Sequence, residues 1–273
     1  MDTGNTKVKR DFFFYPRIYA MIVTQSIKSK MSYRADFLIS TFGMIATNLA
    51  GFLSFWLIFH TFPSINGWHF SETTFLYSFS LVALSASQIF FDNNWGLRFQ
   101  LRSGDFVKYC FRPINLFFYF VSEEIDLKGI GQMVFGIVLL VYSWNNLSIP
   151  VTAGNILMLL VLLFSASLIM IAMMTAAAAT GFWIINSGMV MVFLFKFKEY
   201  AAYPMTIFNQ AFQLVFSILI PIGFMAFYPS LYFLRPESLS PVTYLTPVAA
   251  ILFFYAAYKF WMRGARQYSG TGS

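Results

Sequence analysis

Long apolar runs alternate with short polar breaks along this chain, and windows of about 20 apolar residues predict membrane-crossing helices. Six such runs are legible: 35–62, closed by Pro63; 73–91, closed by Asp92-Asn93-Asn94; 127–144, preceded by Glu123-Glu124-Ile125-Asp126; 154–180, entered through Pro150; 206–227; and 242–261. Ahead of them Tyr15, Tyr19, Ile22, Val23 and Ile27 recur at helical spacing, with Arg17, Gln25, Lys28 and Ser29 on the other side. That pattern predicts an interfacial helix with its cations toward anionic headgroups. The stretch 181–203 begins apolar (Phe182-Trp183-Ile184-Ile185) and then carries Lys196, Lys198 and Glu199. It reads as a seventh span, as an extension of the fourth helix, or as a hairpin at the cytoplasmic boundary.

Composition settles the class. Of 273 residues, 58% are hydrophobic and 11% charged, whereas a soluble domain is about a quarter charged. Too much apolar surface is present to hide in a water-soluble fold of this size. The 35 Phe exclude disorder, and unbroken apolar runs are unlike the alternating strands of a membrane barrel. The fold class is therefore all-α integral membrane. The single cysteine, Cys110, excludes an internal disulfide and a cysteine-based metal site.

Charge then orients the chain. The net +7 is distributed unevenly. Lys7, Lys9, Arg10, Arg17, Lys28, Lys30 and Arg34 precede the first run; Arg98, Arg102, Lys108 and Arg112 follow the second; Lys259, Arg263 and Arg266 end the chain. The connections 63–72 and 145–152 hold no lysine or arginine. Cations favour the cytoplasmic side, so six spans with both termini inside fit best, and Lys196 and Lys198 then fall inside as well. The organisation read from this is a tail (1–11), an interfacial helix (12–34), one six-helix membrane domain (35–262) and a cytoplasmic tail (263–273). No secretory signal pattern precedes the first run.

Little in the chain can do chemistry. It has no G-x-x-x-x-G-K-[ST] loop to cradle phosphates. His60, His69 and Glu72 fall short of a supported metal site, so no metal is expected, and the cations sort by membrane side rather than onto a nucleic-acid stripe. The acids nearest the spans, Asp36 and Asp126, lie at span ends, which disfavours proton- or ion-coupled transport. Uncharged polar positions do recur: Thr41 and Asn48 in the first span; Ser78, Ser85 and Gln88 in the second; Asn209, Gln213 and Ser217 in the fifth. These either hydrogen-bond between helices or line a path for an amphipathic molecule. Ser165-Ala166-Ser167, Ala172 and 175–180 make a small-residue face for close packing. In the loop 92–113, Asp92 or Asn93 can cap a short helix, Ser103-Gly104 breaks it, Asp105 can cap a second and Pro113 ends it. A basic loop bearing Phe106, Tyr109 and Phe111 suits docking on a soluble partner.

Several motifs carry a resemblance. Tyr33-Arg34-Ala35-Asp36-Phe37, Leu101-Arg102-Ser103-Gly104-Asp105 with Arg112-Pro113, Tyr203-Pro204, and Trp261-x-x-Gly264-x-Arg266-x-Tyr268-Ser269-Gly270 stand in this order. Together they resemble the type-2 membrane proteins of ATP-binding cassette (ABC) exporters, in which two leucines often occupy the place of Cys110-Phe111. The resemblance implies an interfacial elbow helix, six spans, and a short coupling helix between the second and third. It implies a bacterial inner-membrane complex of two permease chains, the same or homologous, with two ATPase subunits. ATP and magnesium would be held by those partners, with no cofactor and no catalytic residue in this chain and no nucleic acid involved. Carried residue by residue, Arg98, Arg102, Ser103, Gly104, Asp105, Phe106 and Arg112 are the expected ATPase contacts. The alternative functions are an ATP-independent transporter or channel, or a membrane-assembly scaffold.

Overall fold

Helices satisfy every backbone N–H and C=O within the segment, which is what an apolar surrounding demands. The computed structural model describes residues 13–32, 34–238 and 241–269 and is built accordingly. Tyr33, Gly270 and the cations at 7, 9 and 10 lie outside the described residues. The helix α1 (Phe14–Met31) precedes the long α2 (Arg34–Thr61). Strands β1 (Ser64–Ile65) and β2 (Trp68–His69) pair antiparallel, Ser64 opposite His69 and Ile65 opposite Trp68. Their two-residue turn, Asn66-Gly67, has φ of 50° and 78°, the positive values such a tight hairpin needs. Next come α3 (Phe70–Phe91), α4 (Asn93–Ser103), α5 (Val107–Cys110), α6 (Leu116–Ser122) and α7 (Lys128–Asn146). They are followed by α8 (Ala153–Ala179), α9 (Ser187–Lys196), α10 (Gln210–Leu214), α11 (Phe227–Leu234) and α12 (Pro241–Gln267).

Among the described residues, 4 helices are long and apolar enough to cross a membrane: Arg34–Thr61, Phe70–Ser103, Ala153–Phe182 and Pro241–Gln267. α7 is 19 residues long, but Lys128 and Asn145-Asn146 take up its ends. α8 is central. Its buried Ala166, Ala172 and Ala177–Ala179 let α12 and α3 approach closely, the role expected of that small-residue face. α7 docks through glycines instead. A Cβ at Gly129 would stand 2.7 Å from Ile89, at Gly136 3.2 Å from the Val82 backbone of α3, and at Gly131 2.9 Å from Thr41 of α2. α2 itself is covered along little of its length, with Leu38, Ile39, Phe42, Leu53 and Leu57 exposed.

The array has two ends. One carries the β1–β2 hairpin and the turn between α7 and α8; the other carries α1, α4–α6 and the last turns of α12. Of the interfacial positions read in α1, Tyr15 packs edge-on against Phe118 of α6 at 5.0 Å, and Val23 joins Ile89, Ile125 and Leu127. That side of α1 therefore meets protein.

The course of 181–235 departs from the expected spans. The stretch 206–227 is not one helix: it runs through a 3₁₀ turn (Met205–Ile207), α10, a π-helical turn (Val215–Leu219) and another 3₁₀ turn (Ile222–Met225). Pro221 explains the break. It has no N–H to donate, and it forces Ile220 out of the helical region, at φ −122° and ψ 90°. Both ends of 207–235 lie at the hairpin end. There Trp68 Nε1 donates to Thr206 Oγ1 and Asn66 Nδ2 donates to the Thr206 carbonyl, each at 2.9 Å, while Arg235 pairs with Glu72. The segment dips inward and returns, and Phe216, Ile222 and Met225 are buried against the rest of the fold. Broken backbone is sustainable at depth only under such protein cover.

The stretch 187–206 makes the full passage instead. It starts beside α4, where Gly188 lies under the Arg98 side chain, and finishes at Thr206 beside Trp68. It is α9 followed by a 3₁₀ helix, Phe197–Ala202. Lys198, expected on the cytoplasmic side, thus sits with Glu199 at mid-length of the array, level with Asn48 and Tyr77. Apolar periodicity concealed this, because Lys196, Lys198 and Glu199 interrupt the run.

Candidate functional site

The loop after α3 is held by its own residues. Gly104 ends α4 at φ 80°, the left-handed position where glycine costs least. Ser103 Oγ donates to Asp105 Oδ2 at 2.6 Å. Asp105 braces this turn and does not cap α5, which has no side-chain cap; nor does α4. Arg102 Nη2 donates to the Ile185 carbonyl at 2.5 Å and to Asn186 Oδ1 at 3.3 Å. Arg98 lies 4.3 Å from the Phe99 ring centre, in space that only Gly188 leaves open: a Cβ there would stand 1.7 Å from Nη1. Arg112 sits 5.7 Å from the Tyr119 ring. Lys108 pairs with Glu123 at 2.8 Å, and the Tyr109 hydroxyl donates to the same carboxylate. Burial first, then that bond, pushes the Tyr109 hydroxyl well above its ordinary pKa.

Phe106 was expected to touch a partner, and the structure corrects this: it is 0% exposed. Its ring centre lies 5.1 Å from Tyr268, 5.3 Å from Phe182, 5.5 Å from Tyr109 and 5.9 Å from Trp261. Trp261 stands 5.1 Å from Phe117 and 5.3 Å from Phe120 of α6. Gly264 completes the knot, since a Cβ there would meet the Phe182 ring at 2.3 Å. Edge-to-face rings of this kind are stiff. The loop, α6, the turn after α8 and the tail are thereby fastened as one body. Its outward surface is Arg102, Ser103, Asp105, Lys108, Phe111 and Arg112, all exposed.

The polar positions of the spans separate into two groups. Ser78 and Ser85 are fully buried and donate to carbonyls of their own helix, Phe75 at 2.9 Å and Val82 at 2.7 Å. Thr41 and Gln88 lie against Gly131 and Gly129 of α7. These four belong to packing. Asn209 caps α10 by accepting from the Phe212 N–H at 2.9 Å, Gln213 donates to the Phe208 carbonyl at 2.8 Å, and Ser217 bonds the Gln213 carbonyl at 2.6 Å and the Tyr228 hydroxyl at 2.5 Å. These three hold the inward-dipping segment in shape. Asn48 donates to the Met44 carbonyl of its own helix at 2.9 Å and also lines a cavity.

That cavity, about 520 Å³, lies between α2, α3 and the 3₁₀ helix after α9. Thr47, Asn48 and Ser54 come from the middle of α2, Tyr77 and Ser80 from α3, and Lys198, Glu199 and Tyr203 from the 187–206 passage. Tyr77 donates to the Asn48 carbonyl at 3.0 Å. Lys198 Nζ stands 3.9 Å from the Phe195 ring centre. Sequence reasoning missed Lys198 and Glu199 because the positive-inside count placed Lys196 and Lys198 on the cytoplasmic side. The signal against that reading was the apolar stretch on either side of them.

His60 stacks on Trp56 at 5.2 Å, and His69 begins α3, its backbone N–H held by Glu72 at 2.9 Å. Among the described residues, no three His, Cys, Asp or Glu side chains gather as metal ligands. Comparison with curated proteins and with solved structures gives no match. A family model described as ABC-2 family transporter protein matches residues 44–272, from early in α2 through the aromatic knot to the tail. The chain therefore belongs to the ABC-2 transporter family, as a multi-pass membrane protein of permease type.

Proposed function

We propose that this chain is one permease subunit of an ABC exporter and forms half of a path for a lipid-like or amphipathic molecule. A separate ATPase subunit, one of two in the complex, docks on the 92–113 loop, and these partners hold the ATP and magnesium; this chain has no catalytic residues of its own. Both termini and the loop face the cytoplasm of a bacterial inner membrane. Six passages follow, the fifth being 187–206, with 207–235 re-entering from the outside. The observation that carries the reading is the basic loop surface set on the aromatic knot. A push on Arg102, Asp105 or Arg112 cannot be absorbed locally, because Phe106 ties the loop to α6 and α12. Nucleotide-driven closure of the partners would move those helices as a unit.

Affinity-tagged protein is expected to bring down a Walker-type ATPase, and Arg112→Ala with Asp105→Ala to abolish ATP-dependent transport while leaving the chain folded. Recovery of no ATPase, or unaltered transport in the double variant, would overturn the proposal.

A second permease chain covers the uncovered face made by α2 and by Met189, Val192 and Phe193 of α9, all exposed in the single chain. Val192→Cys in a Cys110→Ser background is expected to crosslink between chains in membranes. Ser85→Cys, whose position is buried, is expected not to. Crosslinking at 85 and none at 192 would refute this placement.

A further inference from the structure

The cavity between α2, α3 and the 187–206 passage holds two charges that neither the packing nor the docking loop explains. Lys198 and Glu199 are adjacent in sequence, yet no salt bridge among the described residues involves either of them. Lys198 is half-buried, with its ammonium over the Phe195 ring. Both side chains face the cavity at the level of Asn48 and Tyr77, well inside α2 and α3. Ionisable groups at such depth are costly; they survive by facing a wet cavity or a charged ligand. Uncharged hydrogen-bonding groups surround them (Thr47, Asn48, Ser54, Tyr77, Ser80), and Phe55, Leu81, Leu84 and Met225 supply apolar wall.

We infer that this cavity binds a zwitterionic amphiphile, with Lys198 taking its anionic group, Glu199 its cationic group, and the apolar wall its tail. The charge balance selects the class. A purely anionic molecule would meet Glu199 beside its partner, and a purely cationic one would meet Lys198. A neutral one would leave both charges unanswered. A volume of about 520 Å³ falls within the usual range for small-molecule sites, about 300–1,000 Å³, and suits a headgroup with part of a chain. This inference deepens the permease reading and rests on it for the meaning of the site, although binding itself needs no ATPase.

The test uses the whole chain in neutral maltoside micelles with Cys110→Ser and Ser54→Cys, since Ser54 is an exposed residue of the cavity wall. Maleimide labelling of position 54 is expected to slow in sub-micellar hexadecylphosphocholine, and to be slowed far less by hexadecyl phosphate or hexadecyltrimethylammonium. Lys198→Gln and Glu199→Gln are each expected to raise the protecting concentration about tenfold, the value of one lost contact of about 1.4 kcal/mol. Equal protection by all three amphiphiles, or none by any, would overturn the inference, as would protection indifferent to both substitutions in variants that still elute as a single peak. The comparison of amphiphiles on the unsubstituted pair stands even where a variant fails to fold. Repeating it in nanodiscs of phosphatidylethanolamine and of phosphatidylglycerol separates a bilayer lipid from an exported solute, because only the former protects position 54 without added amphiphile. Failure here with an ATPase still co-purifying sinks the site and leaves the permease reading standing.

Discussion

Trp261→Ala is expected to destabilise the folded chain by about 3–5 kcal/mol, the range for removing a large ring from a packed interior. Trp261 is 0% exposed and touches Phe106, Phe117, Phe120 and Phe182 at once. Its loss leaves a cavity bounded by four rings that cannot close on it without leaving their own contacts. The indole N–H has no hydrogen-bond partner among the described residues, so Trp261→Phe forfeits area and no polar bond seen there. About a third of the alanine penalty is expected for it. Gly264→Val should approach the alanine effect by the opposite route, because a side chain there invades the Phe182 ring. Denaturant titration in detergent micelles reads all three. A penalty of under about 1 kcal/mol for Trp261→Ala would show that the knot does not hold the tail to the loop.

How much of this was legible in the sequence differs by segment. Long runs such as α2 and α8 declare themselves, since one residue type after another prefers lipid or protein to water. The tail motif was visible as spacing, and the structure supplies its reason: Trp261, Gly264 and Tyr268 are successive contacts of a single aromatic knot. The Asn66-Gly67 turn is also written in the sequence, being the strongest short hairpin signal available. The course of 181–235 could not be read from hydropathy. A passage with three charges in it scores below a re-entrant segment that is more apolar, and only the partners at the ends reveal which one traverses the array. The same ambiguity covered the polar positions. Ser85 and Asn48 look alike in sequence, and both donate to a carbonyl of their own helix; which neighbour packs alongside decides that Ser85 is sealed while Asn48 borders a cavity. Phe106 shows the limit from another side, because an aromatic in a basic loop reads as an anchor for a partner until burial shows it anchoring the loop itself.

The second large effect is expected at the opposite end. Arg235→Ala should cost about 3 kcal/mol, because it strands the Glu72 carboxylate with its side chain only 9% exposed. Glu72 answers two groups at once, the Arg235 guanidinium and the His69 N–H that opens α3. Arg235 in turn lies 4.7 Å from the Trp68 ring, whose indole holds Thr206. The pair therefore pins the end of the re-entrant segment to the hairpin that also pins its start. Glu72→Gln keeps the capping acceptor and loses only the ionic part, so about 1–2 kcal/mol is expected for it. The double substitution should fall well short of the sum, since removing the arginine matters most while the carboxylate remains charged. Proteolysis supplies the local readout: Arg235→Ala should expose 207–235 to proteinase K before the rest of the chain is cut, whereas Trp261→Ala should not single that segment out. Equal penalties for both single variants with additive behaviour in the double would mean that the two side chains act independently and that the latch does not exist.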